Sequence, residues 1–263
     1  MTPPPVTAWQ LAVAAGLVLA NAGLSVMFEA GLARTLVVAA VRAIVQLVFV
    51  GFVLSAVFAL RSPWLVGLVV LAMLAIAGFE IQSRQERRLR GFWRYGLGAG
   101  MTLFTTLLVG ALAVSLVQPA PLWDPHVVIP LVGILLGSVM NGVSISLNAF
   151  NSGVARERAS IEAQLALGAT RSRALKPLQR SALRGGMIPV VNQMSAAGII
   201  TLPGMMSGQI LAGMNPLEAA KYQALVLLLL AGGAALGAFA TVWAATRRMT
   251  DERHRLRLDR LVN

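Results

Sequence analysis

The stretch Thr35–Leu60 reads TLVVAAVRAIVQLVFVGFVLSAVFAL and contains one charged residue, Arg42. A helix needs about 20 mostly apolar residues to cross the hydrocarbon core of a bilayer, so this stretch is long enough to span a membrane. Across the chain, 57% of residues are hydrophobic and 12% are charged, whereas soluble domains are roughly 25% charged. The sequence therefore predicts an all-α, polytopic membrane protein.

Further apolar segments bring the predicted number of transmembrane helices to about seven, within one transmembrane domain over 1–263. The others are Thr7–Phe28, Pro63–Phe79, Tyr95–Val117, His126–Phe150, Gly186–Leu211 and Tyr222–Thr246. Pro189 and the Leu202-Pro203-Gly204 run interrupt the sixth segment, because proline removes a helical hydrogen bond. We expect that segment to be a broken helix.

Basic residues concentrate in three polar regions: the loop after the third segment, the loop 151–184 and the tail 247–263. Seven transmembrane helices place all three on one face, which the positive-inside rule makes cytoplasmic. We therefore expect an outside N-terminus, an inside C-terminus and a multi-pass protein of the cell (inner) membrane. The same rule accounts for the net charge of +12, so we expect no nucleic-acid partner.

The basic loop 151–184 contains the run Ile161-Glu162-Ala163-Gln164-Leu165-Ala166-Leu167-Gly168-Ala169. The spacing predicts a helix over 156–170, with Ile161 and Leu165 on one face and Gly168 as its stop signal. Leu167 lies off that face, so its apolar side chain would be exposed outside the membrane. From spacing alone, an amphipathic helix lying on the lipid surface is an equal alternative.

This run resembles the EAA coupling loop of ABC-transporter permeases, which docks on the ATP-hydrolysing subunit. Glu162, Ala163 and Gly168 fall at the spacing of that motif, but Gln164 replaces its second alanine. The apolar-proline ending is absent, since Leu178-Gln179-Arg180-Ser181 occupies its place.

The C-terminal part of the chain carries a more specific resemblance. Its segments are Met187-Ile188-Pro189 with Asn192, the run 198–213 that includes LPGMMSGQILAG, and Pro216 to Gln223. Together with the coupling loop they resemble the FetB/YbbM family of ABC-transporter permeases, whose plant relatives are the ALS and STAR aluminium-tolerance proteins. The resemblance implies a permease that pairs with a separate ATPase subunit. Bacterial members are associated with iron export, and plant relatives with aluminium tolerance and UDP-glucose transport. Iron, another metal and a nucleotide sugar therefore stay open as cargo.

This resemblance implies that a cytosolic ATPase contacts the loop helix. The candidate coupling residues are Glu157, Ile161, Glu162, Ala163, Leu165, Leu167 and Gly168. The sequence contains no P-loop, so we expect ATP to be bound by the partner and this chain to be neither an enzyme nor a cofactor carrier. Seven transmembrane helices are few for a complete pore, so we expect a homodimer of permeases.

Polar and irregular positions within the membrane are the candidate transport pathway, because they are costly there. They are Arg42, Gln46, Asn192, Gln193, Pro203, Gly204, Met205, Met206, Gly208 and Gln209. We predict that 202–208 is irregular and lines the pathway. Met205 and Met206 either bind a metal or only pack, and Arg42 either serves the pathway or extends to the interface. The chain lacks cysteine, and His126 and His254 fall on opposite faces, so a metal site stays unknown.

A stand-alone secondary transporter is the alternative from a different class. Such a transporter usually has acidic residues in its membrane segments or inverted repeats. Neither is evident in this sequence, which favours the ABC permease.

Overall fold

A computed structural model describes residues 7–60, 62–89, 91, 93–251 and 255–262. Parts of the predicted domain and tail, His254 among them, lie outside these described residues. The chain divides into two compact units, Met1–Ser62 and Pro63–Asn263. The assignment of 1–263 to a single permease domain stays a prediction.

The first unit is a pair of packed helices, α1 (Ala8–Met27) and α2 (Ala33–Leu60). In the turn between them, the Ser25 hydroxyl accepts a hydrogen bond from the Leu32 backbone N–H at 2.9 Å. This bond fixes the angle at which the chain enters α2. Along α2 only Val57 is buried, so most of its apolar surface is exposed.

The second unit holds the other helices. They are α3 (Pro63–Ser83), α4 (Trp93–Val117), α5 (Pro125–Arg156), α6 (Arg158–Ala166), α7 (Arg171–Ala196), α8 (Gly204–Leu211) and α9 (Pro216–Met249). Helix α5 lies at the centre, in contact with α3, α4, α7 and α9. Its start is fixed by Asp124, whose side chain accepts a hydrogen bond from the His126 backbone N–H at 3.0 Å. Asn215 caps α9 in the same way through the Leu217 N–H at 2.9 Å.

Among the residues that the structure describes, six helices are long and apolar enough to cross a membrane: α1, α2, α3, Gly96–Val117 within α4, α5 and α9. The prediction of an all-α, polytopic membrane protein is confirmed. The remaining predicted segment, 186–211, is divided between α7 and α8. The first half of α7 carries five basic residues: Arg171, Arg173, Lys176, Arg180 and Arg184. Because of them the helix is not apolar along its whole length.

Helix α7 nevertheless runs the length of the unit, antiparallel to α9. Near its start the Gln179 amide donates to the Thr246 hydroxyl at 2.8 Å, close to the end of α9. Near its end Val190 packs in one core cluster with Val226 and Leu230, from the first half of α9. At about 1.5 Å per residue, the 26 residues of α7 extend roughly 39 Å, enough to cross a bilayer core.

The basic regions of the second unit converge at one end. Strand β1 (Arg88–Leu89) pairs antiparallel with β2 (Leu261–Val262), which joins the α3–α4 loop to the C-terminal tail. The same loop reaches the end of α5, where the Asn151 amide donates to the Arg87 carbonyl at 3.2 Å. In the tail, Arg257 donates two hydrogen bonds of 2.9 Å to Asp259 and lowers the pKa of that carboxyl to about 2. The shared end agrees with the predicted grouping of the basic regions, while the side of the membrane stays a prediction.

Candidate functional site

The candidate coupling helix is shorter than the predicted 156–170. Helix α5 continues to Arg156, and Glu157 forms the junction, with its N–H bonded to the Gly153 carbonyl at 2.9 Å. Helix α6 then covers only Arg158–Ala166. The prediction was too long at both ends, because α5 extends beyond its apolar part to Arg156 and the chain turns at Gly168 after Ala166.

Gly168 ends α6 as predicted. Its φ is +86°, a left-handed conformation that favours glycine. The Gly168 N–H bonds the Leu165 carbonyl and the Ala169 N–H bonds the Gln164 carbonyl, each at 3.0 Å, which is the pattern of a Schellman motif. Thr170 then caps α7, its hydroxyl accepting from the Arg173 N–H at 3.4 Å. We call α6, this turn and the first turn of α7 the elbow, residues 158–174.

The predicted coupling residues divide into an anchor and an exposed surface. Ile161 is 2% exposed and Leu165 packs beside it, against a core cluster built from the ends of α5, α7 and α9. Leu167, at the tip, is 88% exposed. The other predicted coupling residues, Glu157, Glu162, Ala163 and Gly168, are exposed. The Glu162 carboxylate forms an ion pair of 2.8 Å with Arg158. The elbow is therefore held to the helix bundle while it presents an apolar side chain outward.

The break between α7 and α8 lies earlier than predicted. The irregular stretch is 197–203, and 204–208 is already the start of α8, so the predicted 202–208 is wrong for most of its length. Gly198, with φ +81°, makes the turn, and its N–H bonds the Thr201 carbonyl at 2.9 Å. Gly204 and Gly208 have neither a positive φ nor a close neighbour. Pro203 suggested the break correctly, but proline is also well tolerated just before a helix starts, as here.

Some of the predicted pathway residues on α8 are partly buried. Met205 is partly buried against the core cluster formed mainly by α4, α5 and α9, and Met206 is half-buried. The Gln209 Oε1 atom is buried and has no hydrogen-bond partner within the described part of the chain. A buried amide oxygen without a partner costs free energy. It makes Gln209 the position of α8 best suited to contact a polar ligand.

A polar crevice of about 50 Å³ lies between α5, α7 and α9. Gln193 lines it together with Ser138 and Asn141. At its floor α5 and α7 approach closely: a Cβ atom on Gly186 would lie 2.8 Å from the Gly142 carbonyl oxygen and would overlap the Ser146 hydroxyl. The structure thus brings one predicted pathway residue into a site with two polar residues of α5.

Ser138, Gly142 and Gly186 were not predicted as parts of this site. Ser138, Gly142 and Ser146 recur every four residues along α5, and such small residues let membrane helices approach closely. That spacing was the signal available in the sequence.

The other predicted pathway residues are exposed. Asn192 lies on the exposed side of α7, and Arg42 and Gln46 are exposed one turn apart on α2 of the first unit. A common site for Asn192, Gln193 and Gln209 stays a prediction. Among the described residues, no three His, Cys, Asp or Glu side chains are placed to hold a metal ion.

Comparisons with known proteins agree with this architecture. The chain is 39% identical over 192 residues to a UPF0014 membrane protein of Synechocystis, covering 72% of this chain and 73% of that protein. It is 33% identical over 219 residues to the probable iron export permease protein FetB of Escherichia coli, covering 82% and 81%. It is 32% identical over 233 residues to the membrane protein STAR2 of rice, covering 88% and 80%. No solved structure matches the chain.

Residues 8–250 match the uncharacterised protein family UPF0014, a range that covers most of both units and every candidate coupling and pathway residue. From this match and the relatives, the chain belongs to the UPF0014 family of membrane proteins.

Proposed function

We propose that this chain is the membrane-spanning permease subunit of an ABC-type exporter and that a separate cytosolic ATPase docks on the elbow. The observation that carries the proposal is the combination of a buried Ile161 on α6 with an 88% exposed Leu167 at the C-terminal cap of the same helix. Because Ile161 and Leu165 pack against α5, α7 and α9, a movement of the elbow imposed by the ATPase would be transmitted to these helices. A helix that only lies on lipid needs no such anchor, which favours coupling over surface binding.

Iron is the proposed cargo. The support is the similarity to a protein named as a probable iron export permease, over about four fifths of both chains. In this proposal ATP is bound by the partner, the permease works as a homodimer in the cell inner membrane, and this chain catalyses no reaction itself.

Reconstitution with the ATPase tests the proposal. The permease is co-expressed with an ATPase subunit from the same organism, purified as a complex and placed in vesicles, and ATP with ferrous iron, either free or as its citrate complex, is added outside. We expect ATP hydrolysis that depends on the permease, and iron movement that depends on ATP. Vesicles holding the permease without the ATPase are the control. A permease that moves iron at the same rate without the ATPase would show a secondary transporter instead.

The topology gives a separate prediction. The chain has no cysteine, so single cysteines can be labelled without background. Leu167→Cys, on the elbow, is expected to react with a membrane-impermeant maleimide only after the cells are opened. Leu122→Cys, in the α4–α5 loop, is expected to react in intact cells, since Leu122 is 60% exposed. If Leu167→Cys reacted in intact cells and Leu122→Cys reacted only in opened cells, the predicted orientation would be wrong.

A further inference from the structure

A groove on the exposed side of α7 is lined by four cations and no acidic side chain. Its volume is about 680 Å³, and its charged lining residues are Arg173, Lys176, Arg180 and Arg184. Ser181 and Gly185 lie between them and leave room for a ligand. All of its lining residues belong to α7, so the groove is an open face of this helix, and a ligand there would be held by the charges and not by enclosure.

These four cations are unpaired within the described residues, where no ion pair or side-chain hydrogen bond involves them. Two other cations of the basic regions are neutralised by a neighbouring carboxylate. Arg84 pairs with Glu80 at 3.1 Å, and Arg257 pairs with Asp259 at 2.9 Å. The groove thus brings four cations without a neighbouring carboxylate together on one face of α7.

The spacing of the cations is unfavourable for the helix by itself. They follow one another at three, four and four residues along α7, and like charges at these distances destabilise a helix. The positive-inside rule calls for basic residues on the cytoplasmic side, but it does not require them to share one face. Buried Ala174, Leu175 and Leu178 on the opposite face of α7 leave this face for the cations, and an anion in the groove would offset their mutual repulsion.

The same face of α7 continues into the candidate pathway. Ile188 closes the groove, four residues beyond Arg184, and exposed Asn192 follows after four more. Gln193, next to Asn192, lines the polar crevice against α5. A ligand in the groove therefore lies about two helical turns along α7 from Asn192.

We propose that this groove receives the cargo as a multivalent oxyanion, a soluble solute that carries several phosphate or carboxylate groups. The inference rests on the proposed transport function and names the substrate class of that pathway. Arginine binds such groups through paired N–H donors. A bare iron cation would be repelled by four like charges, so iron would leave the cell as an anionic complex.

The charge and length of the groove favour a soluble solute over a lipid headgroup. From Arg173 to Arg184 the cations extend roughly 16 Å along the helix, at about 1.5 Å per residue. The phosphodiester of one phospholipid carries a single negative charge, whereas four cations match a ligand with several.

Protection of a cysteine in the groove tests this proposal without the ATPase. Ser181→Cys, on the cysteine-free chain, is placed in nanodiscs of phosphatidylcholine and labelled with an uncharged maleimide. Pyrophosphate or citrate is expected to slow labelling about fivefold when present at about four times its dissociation constant, whereas sodium chloride of equal ionic strength is not. In the same background, Arg180→Gln with Arg184→Gln is expected to remove this protection.

The matched control neutralises two paired cations, Arg84→Gln with Arg257→Gln, and is expected to keep the protection. No protection by either anion, or loss of protection in the control as well, would overturn the proposal. Protection that appears only in nanodiscs with phosphatidylglycerol would also overturn it and assign the groove to lipid. Because no ATPase is present, protection would stand even if the complex failed to couple ATP hydrolysis to transport. If ATP-coupled transport occurred but the anions did not protect Ser181→Cys from labelling, only the proposed anion site would be wrong.

Discussion

Leu167→Asp is expected to abolish ATP-driven transport while leaving the permease folded. Leu167 is 88% exposed at the tip of the elbow, so the bundle does not depend on it. Surface substitutions of this kind usually change stability by within about 0.5 kcal/mol. In the proposed complex, the new carboxylate would be buried without a partner against the ATPase. A cost of about 2 kcal/mol, the level of an interface hot spot, weakens binding roughly 30-fold.

The measurement is the affinity of the purified permease for its ATPase, together with the thermal unfolding of the permease alone. Leu217→Asp is the matched control, because Leu217 is also exposed, at 64%, but lies at the start of α9 at the other end of the unit. It is expected to keep full affinity. Normal affinity in Leu167→Asp would remove the elbow from the docking surface.

Membrane segments and the stop at Gly168 were predictable because they depend on local chemistry. The length of apolar runs predicted the transmembrane helices, and six of them satisfy length and composition in the structure. Gly168 was predicted as a stop because a left-handed residue after a helix is usually glycine, and its φ is +86°. Such signals need no knowledge of the neighbouring helices.

Residues whose role depends on helices distant in the sequence were not predictable in the same way. Gly204 and Gly208 were chosen because glycine breaks helices, yet α8 includes both and no atom crowds them. The residue that makes the turn is Gly198, which occupies a left-handed conformation. Gly186 was passed over because its importance comes from α5, a helix distant in sequence.

The crossing of α5 and α7 is the tightest contact at the candidate pathway. Gly142 lies between two neighbours, since an added Cβ there would be 3.0 Å from the Ala234 carbonyl oxygen of α9. Gly186 faces Gly142 and Ser146 from α7. The crevice that holds Gln193 and Asn141 is formed by this approach, so its shape depends on both glycines.

Gly186→Ala is therefore expected to destabilise the permease and to reduce transport strongly. Its Cβ would lie 2.8 Å from a backbone oxygen, which cannot move aside as a flexible side chain can. Overpacking of this kind costs about 1–3 kcal/mol, and lowers the melting temperature by roughly 2–4 °C per kcal/mol in a protein of this size. Gly185→Ala is the matched control on the adjacent residue, where the nearest atom would be the Ile145 Cγ2 at 3.9 Å. It is expected to be neutral or slightly stabilising, since alanine favours a helix over glycine. Melting temperatures measured in detergent compare the two variants, and equal values would show that α5 and α7 are not in close contact at Gly186.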